Sequence, residues 1–346
     1  MVLFLILLYA SVLSYIGLMV LVIIGMLRPH PAMRSALRPP VSVIIPAHNE
    51  EAKLDATLAS LSRQEYPGEA QFIIVNDRST DATAQIIAKW EARDARFSSV
   101  HLTEASRRLS PKVNAVNEGI LRSRGEIIVT SDADCDYPSG WLAGMVSHFV
   151  DDVVMVVGYV ESTREGRSPS PVATFESVDW LTLMLTSRSL TRFGWKFASS
   201  ANNQAYRRDA FERAGGFGLG GRAPSGDEDL LTQRLGRLPG ARIVFADAPE
   251  VRVLTRPMPS LRALLRQRKR WVSRYHHVMH YHPAFMASIA TLGLQSVLLS
   301  AAVLLAVVPA RLLPVGQERA IVDVIIGTIV LGGVFVVPFF ENPRNP

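Results

Sequence analysis

From Val41 onward, short β-branched apolar runs alternate with helical patterns, and the runs end abruptly in polar, acid-bearing turns. Val41–Ile45 breaks into Pro46-Ala47-His48-Asn49-Glu50. Phe72–Val75 breaks into Asn76-Asp77-Arg78-Ser79-Thr80-Asp81, and Ile127-Ile128-Val129 into Thr130-Ser131-Asp132-Ala133-Asp134-Cys135-Asp136. Such runs read as buried strands. Between them, Leu54, Leu58 and Leu61 share one helix face, Ile86, Ile87 and Trp90 mark a second helix, and Pro111 to Arg122 forms a third. Ser79 or Thr80 is expected to cap the second. Ser98–Leu102 is a weaker strand and Val153–Val160 a further β-branched run. Alternation of this kind predicts an α/β fold with a doubly wound, mainly parallel sheet. Right-handed crossovers bring the carboxyl ends of its strands to one edge, where ligands bind in open α/β sheets. Asn49, Glu50, Asp77 and the pair Asp132 and Asp134 should therefore converge.

The acidic stretch carries its own constraint. Asp132, Asp134 and Asp136 stand at alternating positions directly after a buried strand, and crowded carboxylates resist ionising together. Either the turn is solvated or a hard divalent cation sits there, since carboxylate oxygens suit Mg²⁺ or Mn²⁺. Convergence with the other strand ends favours the cation for Asp132 and Asp134. Asp136 is most simply a solvated acid opening the next loop.

The 346 residues are 48% hydrophobic, and the apolar excess collects at the two ends. Val2 to Leu27 holds no charged residue and is long enough to cross a bilayer. It lacks a basic n-region and a clear cleavage site, so residues 1–27 read as an uncleaved anchor. Ile289–Pro309 and Ala320–Phe340 are expected to be two more spans within 289–346. Arg28, Arg34 and Arg38 follow the first span, and Arg262, Arg266, Arg268, Lys269, Arg270 and Arg274 precede the second. Basic residues mark the cytoplasmic side. The expected protein is a multi-pass membrane protein of an inner or plasma membrane, its N-terminus outside and a catalytic region, 28–258, in the cytoplasm. The single cysteine, Cys135, excludes an internal disulfide and fits a reducing compartment. The net charge of +6 is largely juxtamembrane arginine, which points to anionic lipid headgroups and not to nucleic acid.

The second half is less regular. Gly216-Phe217-Gly218-Leu219-Gly220-Gly221 has a GxGxxG spacing but follows a helix, Arg208–Ala214, and so reads as a mobile loop and not a dinucleotide site. Ser199–Tyr206 is small and polar, a loop or site wall. Asp227, Glu228 and Asp229 open a helix with Leu230, Leu231 and Leu235 on its apolar face, where the macrodipole favours acids. Ile243–Phe245 and Val251–Leu254 read as strands. Leu261 to Tyr275, within a basic segment 259–288, is an amphipathic helix suited to the membrane interface. Gln267, Arg270 and Trp271 share one of its faces, and interfacial anchoring is the alternative use of Arg270 and Trp271.

In order, the motifs are Val43-Ile44-Ile45-Pro46-Ala47-His48-Asn49-Glu50, Val75-Asn76-Asp77-Arg78-Ser79-Thr80-Asp81, Lys112 with Asn117 and Gly119, Asp132-Ala133-Asp134, Glu228-Asp229, and Gln267-Arg268-Lys269-Arg270-Trp271. Together, over roughly Val41 to Trp271, they resemble the family 2 glycosyltransferases with the GT-A nucleotide-sugar fold. The resemblance implies that Pro46, Asn49, Glu50 and Asp77 cradle the nucleotide, Asp77 facing uracil, with Lys112 nearby. It implies that Asp132 and Asp134 form the DxD pair, Asp134 the more direct ligand of Mg²⁺ or Mn²⁺. Asp229 corresponds to the catalytic base of the ED motif, with Glu228 beside it on the acceptor side. Gln267, Arg270 and Trp271 correspond to the QxxRW motif, which closes over the diphosphate and the acceptor.

One base and no covalently held sugar imply single displacement, hence inversion. The implied partners are a nucleotide-sugar donor, a membrane lipid acceptor and the bilayer, with a homo-oligomer left open. Three spans look too few to wall a polymer channel by themselves. A lipid acceptor is therefore preferred over the alternatives, a processive polysaccharide synthase, an inert scaffold or a nucleotidyltransferase. Cys135 after the DxD pair departs from the ceramide-glucosyltransferase pattern.

Overall fold

The computed structural model describes residues 2–28, 35–106, 108–150, 152–162, 170–195, 200–217 and 227–272. The chain divides into two compact units, residues 25–264 and residues 1–24 with 265–346.

In the larger unit, strands and helices alternate as the sequence predicts. β1 (Val41–Ala47), α2 (Leu54–Ser62), β2 (Ala70–Asp77), α3 (Thr83–Arg93), β3 (Phe97–Leu102), α4 (Pro111–Arg122) and β4 (Ile127–Thr130) form the first half; α1 is the N-terminal helix, Val2–Leu27. After β4 come β5 (Cys135–Asp136), α5 (Trp141–Val146), β6 (Val153–Gly158), β7 (Val160–Ser162) and α6 (Pro171–Arg192). β8 (Gln204–Arg207), α7 (Arg208–Arg213), α8 (Asp227–Gly236), β9 (Arg242–Ala246), β10 (Val253–Thr255) and α9 (Leu261–Val272) complete the order.

Seven strands form one sheet in the order β3-β2-β1-β4-β8-β6-β9. β1 pairs in parallel with both β2 and β4, Ile44 lying opposite Ile73 on one side and Thr130 on the other. The chain moves outward from β1 to β2 and β3, then crosses back to β4. The switch point is therefore between β1 and β4, where an open α/β sheet leaves a crevice at its carboxyl edge. Val43, Ile45, Phe72, Ile74 and Val129 are fully buried, as strands covered on both faces require. Gly119 lets α4 settle on this sheet: a Cβ there would lie 2.5 Å from Cγ2 of Ile44.

Four expectations are corrected. The polar stretch ending at Tyr206 contains a strand, β8, running antiparallel between β4 and β6 in the middle of the sheet. Its polarity hid it. Gln204 is buried because its amide donates to the Thr130 hydroxyl at 2.9 Å, while the Tyr206 ring stacks on Phe211. The run Val153–Val160 is not one strand: β6 ends at Gly158, and β7 leaves for a three-stranded sheet ordered β5-β10-β7. Asn203 packs against Gly158 so closely that any Cβ there would overlap its side chain, and the Gly158 N–H donates to the Asn203 carbonyl at 2.7 Å. Finally, neither Ser79 nor Thr80 caps α3. Both are turned toward Asn49, and the Asp81 carboxylate accepts from the Thr83 N–H at 3.0 Å instead. The strand expected over Val251–Leu254 begins instead at Val253, after a 3₁₀ turn at Pro249–Val251.

Asn203 joins three elements. Its side chain accepts from the Trp141 indole N–H at 2.9 Å and donates to the carbonyls of Tyr159 and Val251, each at 2.8 Å. All of this is buried. Each orphaned buried group costs about 1–3 kcal/mol. Asn203→Ala should therefore lose about 3 kcal/mol or more, read as a lower urea midpoint at unchanged slope.

α6 is a 22-residue helix. Near its C-terminal end, Arg192 donates to the carbonyls of Gly25, Met26 and Arg28 at the end of α1, and Asp247 pairs with both Arg188 and Arg192. The free carbonyls of a helix end are thus satisfied by a guanidinium. Phe175, Val178 and Leu181 of α6 are exposed, and no charged residue is exposed along that helix.

α1, most of which belongs to the smaller unit, runs 26 residues without a charge, about 39 Å at 1.5 Å per residue. Several side chains toward its N-terminus lie outside the described residues. Among the described residues, no helix is long and apolar enough to cross a membrane. The expected spans at Ile289–Pro309 and Ala320–Phe340 lie outside the described residues, as does most of the expected glycine-rich loop.

Candidate active site

The turns after β1 and β2 are laced together. His48 Nδ1 meets the Asp77 carbonyl at 2.6 Å, and the Asn49 N–H donates to the Ser79 hydroxyl at 3.0 Å. In return, Asn49 Oδ1 accepts from the Thr80 N–H at 2.8 Å. The Glu50 N–H donates to the Thr83 hydroxyl at 2.9 Å, and the Glu51 N–H to Asp81 at 3.1 Å. Asn49 and Arg78 both adopt left-handed backbone, φ 55° and 58°. Such conformations are uncommon outside glycine and are held by surrounding contacts, frequently at functional sites. Pro46 lies inside β1, paired with Val75, and costs the sheet one N–H.

Asp77 ends β2 and is buried. Its two oxygens hold the Arg78 guanidinium at 2.7 and 3.2 Å, a bidentate pair. Asp132 and Asp134 follow β4, and each is met by a lysine. Lys112, at the start of α4, lies 2.6 Å from Asp132; Lys53, directly before α2, lies 3.0 Å from Asp134. Thr57 on α2 donates to the Ala133 carbonyl between the two acids at 3.0 Å. Tyr137 donates toward the Ser131 hydroxyl at 2.8 Å and the Asp132 carbonyl at 3.1 Å, so the acidic turn is pinned from below. Asp136 is exposed, 3.8 Å from Arg63, as a solvated acid should be. Cys135 is fully buried, and burial drives its thiol pKa well above the ordinary range, so it is no thiolate at neutral pH.

Glu50 faces this group. Burial raises its carboxyl pKa above the ordinary 4.5; Lys53 lowers it, while Asp134, Asp132 and Asp81 raise it. A folded-state carboxyl pKa above the unfolded value means the fold binds the extra proton. Stability from this group is therefore present at low pH and declines as pH rises from 4.5 through the raised value. Glu50→Gln should flatten that part of the curve: thermal midpoints of wild type and variant should separate as pH rises through this window, wild type losing more.

The sequence-derived residues Pro46, Asn49, Glu50 and Asp77 thus stand at the carboxyl ends of β1 and β2, and Asp132 and Asp134, with Lys112 beside Asp132, at that of the neighbouring β4. Glu228 and Asp229 stand in the first turn of α8, ahead of buried Leu231 and Leu235, and Gln267, Arg270 and Trp271 stand on α9. The side chains of Glu228, Asp229, Arg270 and Trp271 lie outside the described residues. Lys53 and Arg78 were not legible as site residues, because a lysine or arginine beside an acidic turn looks the same as any solvated one. Among the described residues, no group of three or more His, Cys, Asp or Glu is placed to hold a metal. The two Asp carboxylates nevertheless fit Mg²⁺ or Mn²⁺, which is usually bound by one or two carboxylates with phosphate oxygens and water completing its shell. Beside them, a small cavity is lined by Lys112, Val113, Thr130, Ser131, Gln204 and Phe217 among others.

Residues 42–215 match the Glycosyl transferase family 2 domain. The chain is 35% identical over 95 residues to the poly-beta-1,6-N-acetyl-D-glucosamine synthase of Staphylococcus epidermidis, covering 27% of this chain and 21% of that one. It is 28% identical over 184 residues to the beta-monoglucosyldiacylglycerol synthase of a Nostoc species, covering 52% and 38% respectively. The chain thus spans well under two thirds of the length of these curated relatives. Among solved structures, the mannosyltransferase PcManGT from Pyrobaculum calidifontis, in complex with GDP-Man and Mn²⁺, superposes with a TM-score of 0.64 at 19% identity. That superposition covers 97% of this chain and 100% of the other, and it supports the GT-A-like fold.

Proposed function

Because this chain belongs to glycosyl transferase family 2, we propose that it is a membrane-bound, inverting glycosyltransferase. In this reading it moves a sugar from a nucleotide-diphosphate donor, a UDP-sugar, to a membrane lipid. The observation that carries the reading is the meeting of Asp132 and Asp134 with Asn49, Glu50 and Asp77 at the switch between β1 and β4. Asp77, with Arg78, faces the base; Asn49 and Glu50 form the wall of the nucleotide crevice. Asp132 and Asp134 hold Mg²⁺ or Mn²⁺, which supplies charge neutralisation as the diphosphate leaves. Lys112 and, from α9, Arg270 add to it. Asp229 takes the proton of the acceptor hydroxyl as that oxygen attacks the anomeric carbon from the face opposite the diphosphate. In the same reading Gln267 serves the donor with Arg270, and Trp271 serves the acceptor with Glu228.

The membrane part of this reading rests on the sequence of α1, whose 26 residues carry no charge. The charge-free exposed face of α6, with Phe175, Val178 and Leu181, adds to it. The basic helix α9 follows. The catalytic unit is then cytoplasmic. The similarity to the poly-N-acetylglucosamine synthase favours a second reading, the same chemistry run processively. Purified protein given UDP- and GDP-sugars with membrane lipid extract separates them by mass spectrometry. Lipid mass increased by a single sugar supports the first reading, and long polymer made without added lipid supports the second.

A further inference from the structure

We propose that Lys53 is a built-in counter-cation for Asp134, standing where a divalent ion would stand, so that the ion enters together with a diphosphate and not before it. The inference rests on the reading of Asp132 and Asp134 as the cation-holding pair. Lys53 is fixed at its root: its N–H donates to the Glu50 carbonyl at 3.0 Å, and the following turn is tied to the acidic stretch through Thr57 and the Ala133 carbonyl. Its ammonium lies 3.0 Å from one Asp134 oxygen and remains about one-third exposed, so the side chain can leave toward solvent.

Most of the charge around it is already compensated. Glu50, Asp132 and Asp134, with Asp81 acting on Glu50 through space, supply four formal negative charges, and Lys53, Lys112 and Arg256 supply three positive ones, Arg256 acting on Lys53 through space. A bare divalent ion turns this set net positive. A nucleoside diphosphate offsets that charge and offers Lys53 a new anionic partner when it leaves Asp134. Removing Lys53 removes the competitor, and the carboxylates then prefer a cation by themselves.

The test is uptake of Mn²⁺ by the full chain, followed as loss of the free-ion electron paramagnetic resonance signal, with Mn²⁺ alone and with UDP or GDP. Wild type should take up Mn²⁺ at least about tenfold more tightly with a nucleoside diphosphate than without. Lys53→Met should take up Mn²⁺ alone about tenfold more tightly than wild type, and Lys53→Arg should behave as wild type. Lys53→Gln serves if the methionine variant fails to fold, and Mn²⁺ alone should raise the melting temperature of the neutral variant but not of wild type. Equal uptake by wild type with and without diphosphate, or unchanged uptake in the neutral variants, overturns the role of Lys53 and leaves the donor site standing. Absence of uptake by every protein under every condition overturns both.

Discussion

Replacing Asp229 by Asn is expected to abolish sugar transfer while leaving donor binding nearly intact. General-base catalysis contributes roughly 10²–10⁴-fold, and an amide of the same shape cannot accept the acceptor proton. Asp229 lies in the first turn of α8. Leu230, Leu231 and Leu235 are buried, which anchors α8 and fixes where its first turn emerges. Initial rates of nucleotide release with acceptor present should fall by this factor, while the dissociation constant of a nucleoside diphosphate with Mn²⁺ stays within about twofold, below the tenfold that 1.4 kcal/mol represents. Turnover at the wild-type rate would remove Asp229 as the base.

Asp134→Ala acts on the other substrate. On the proposed reading the divalent ion loses a direct ligand without this carboxylate, and Lys53 is left without its closest partner. Donor binding should lose its dependence on Mn²⁺, with affinity falling about 10²-fold, since a bridging cation supplies several kcal/mol of charge compensation. Calorimetric titration with UDP or GDP, with Mn²⁺ and with chelator, reads both effects. Wild-type affinity that still responds to Mn²⁺ would exclude Asp134 as a ligand. Chelator should reduce wild type to the level of the variant.

The first half of the fold could be read from the chain because β1, β2 and β4 are buried on both faces and each helix is amphipathic. Pro111–Arg122 appears with the bounds the pattern implies, and the strand over Ile127–Val129 extends to Thr130. Parallel order then brings the strand ends together by topology alone, so Asn49, Glu50, Asp77, Asp132 and Asp134 could be grouped without coordinates. β8 could not. Its Gln204 is satisfied by Thr130 across the sheet, a non-local bond that no local pattern announces. The left-handed backbone at Asn49 and Arg78 was equally invisible, since neither position carries glycine. The lysine partners fall in the same class: Lys53 and Asp134 are far apart in sequence and meet only because α2 packs under the acidic turn.

The most direct test of the account is a crystal of the protein soaked with Mn²⁺ and UDP or GDP, with data collected for the anomalous signal of manganese. The account predicts one manganese peak about 2.1 Å from a carboxylate oxygen of Asp134, with the diphosphate on its far side and the base toward Asp77. Nucleotide bound away from the β1/β4 crevice, or bound there with manganese out of reach of both Asp132 and Asp134, would contradict it.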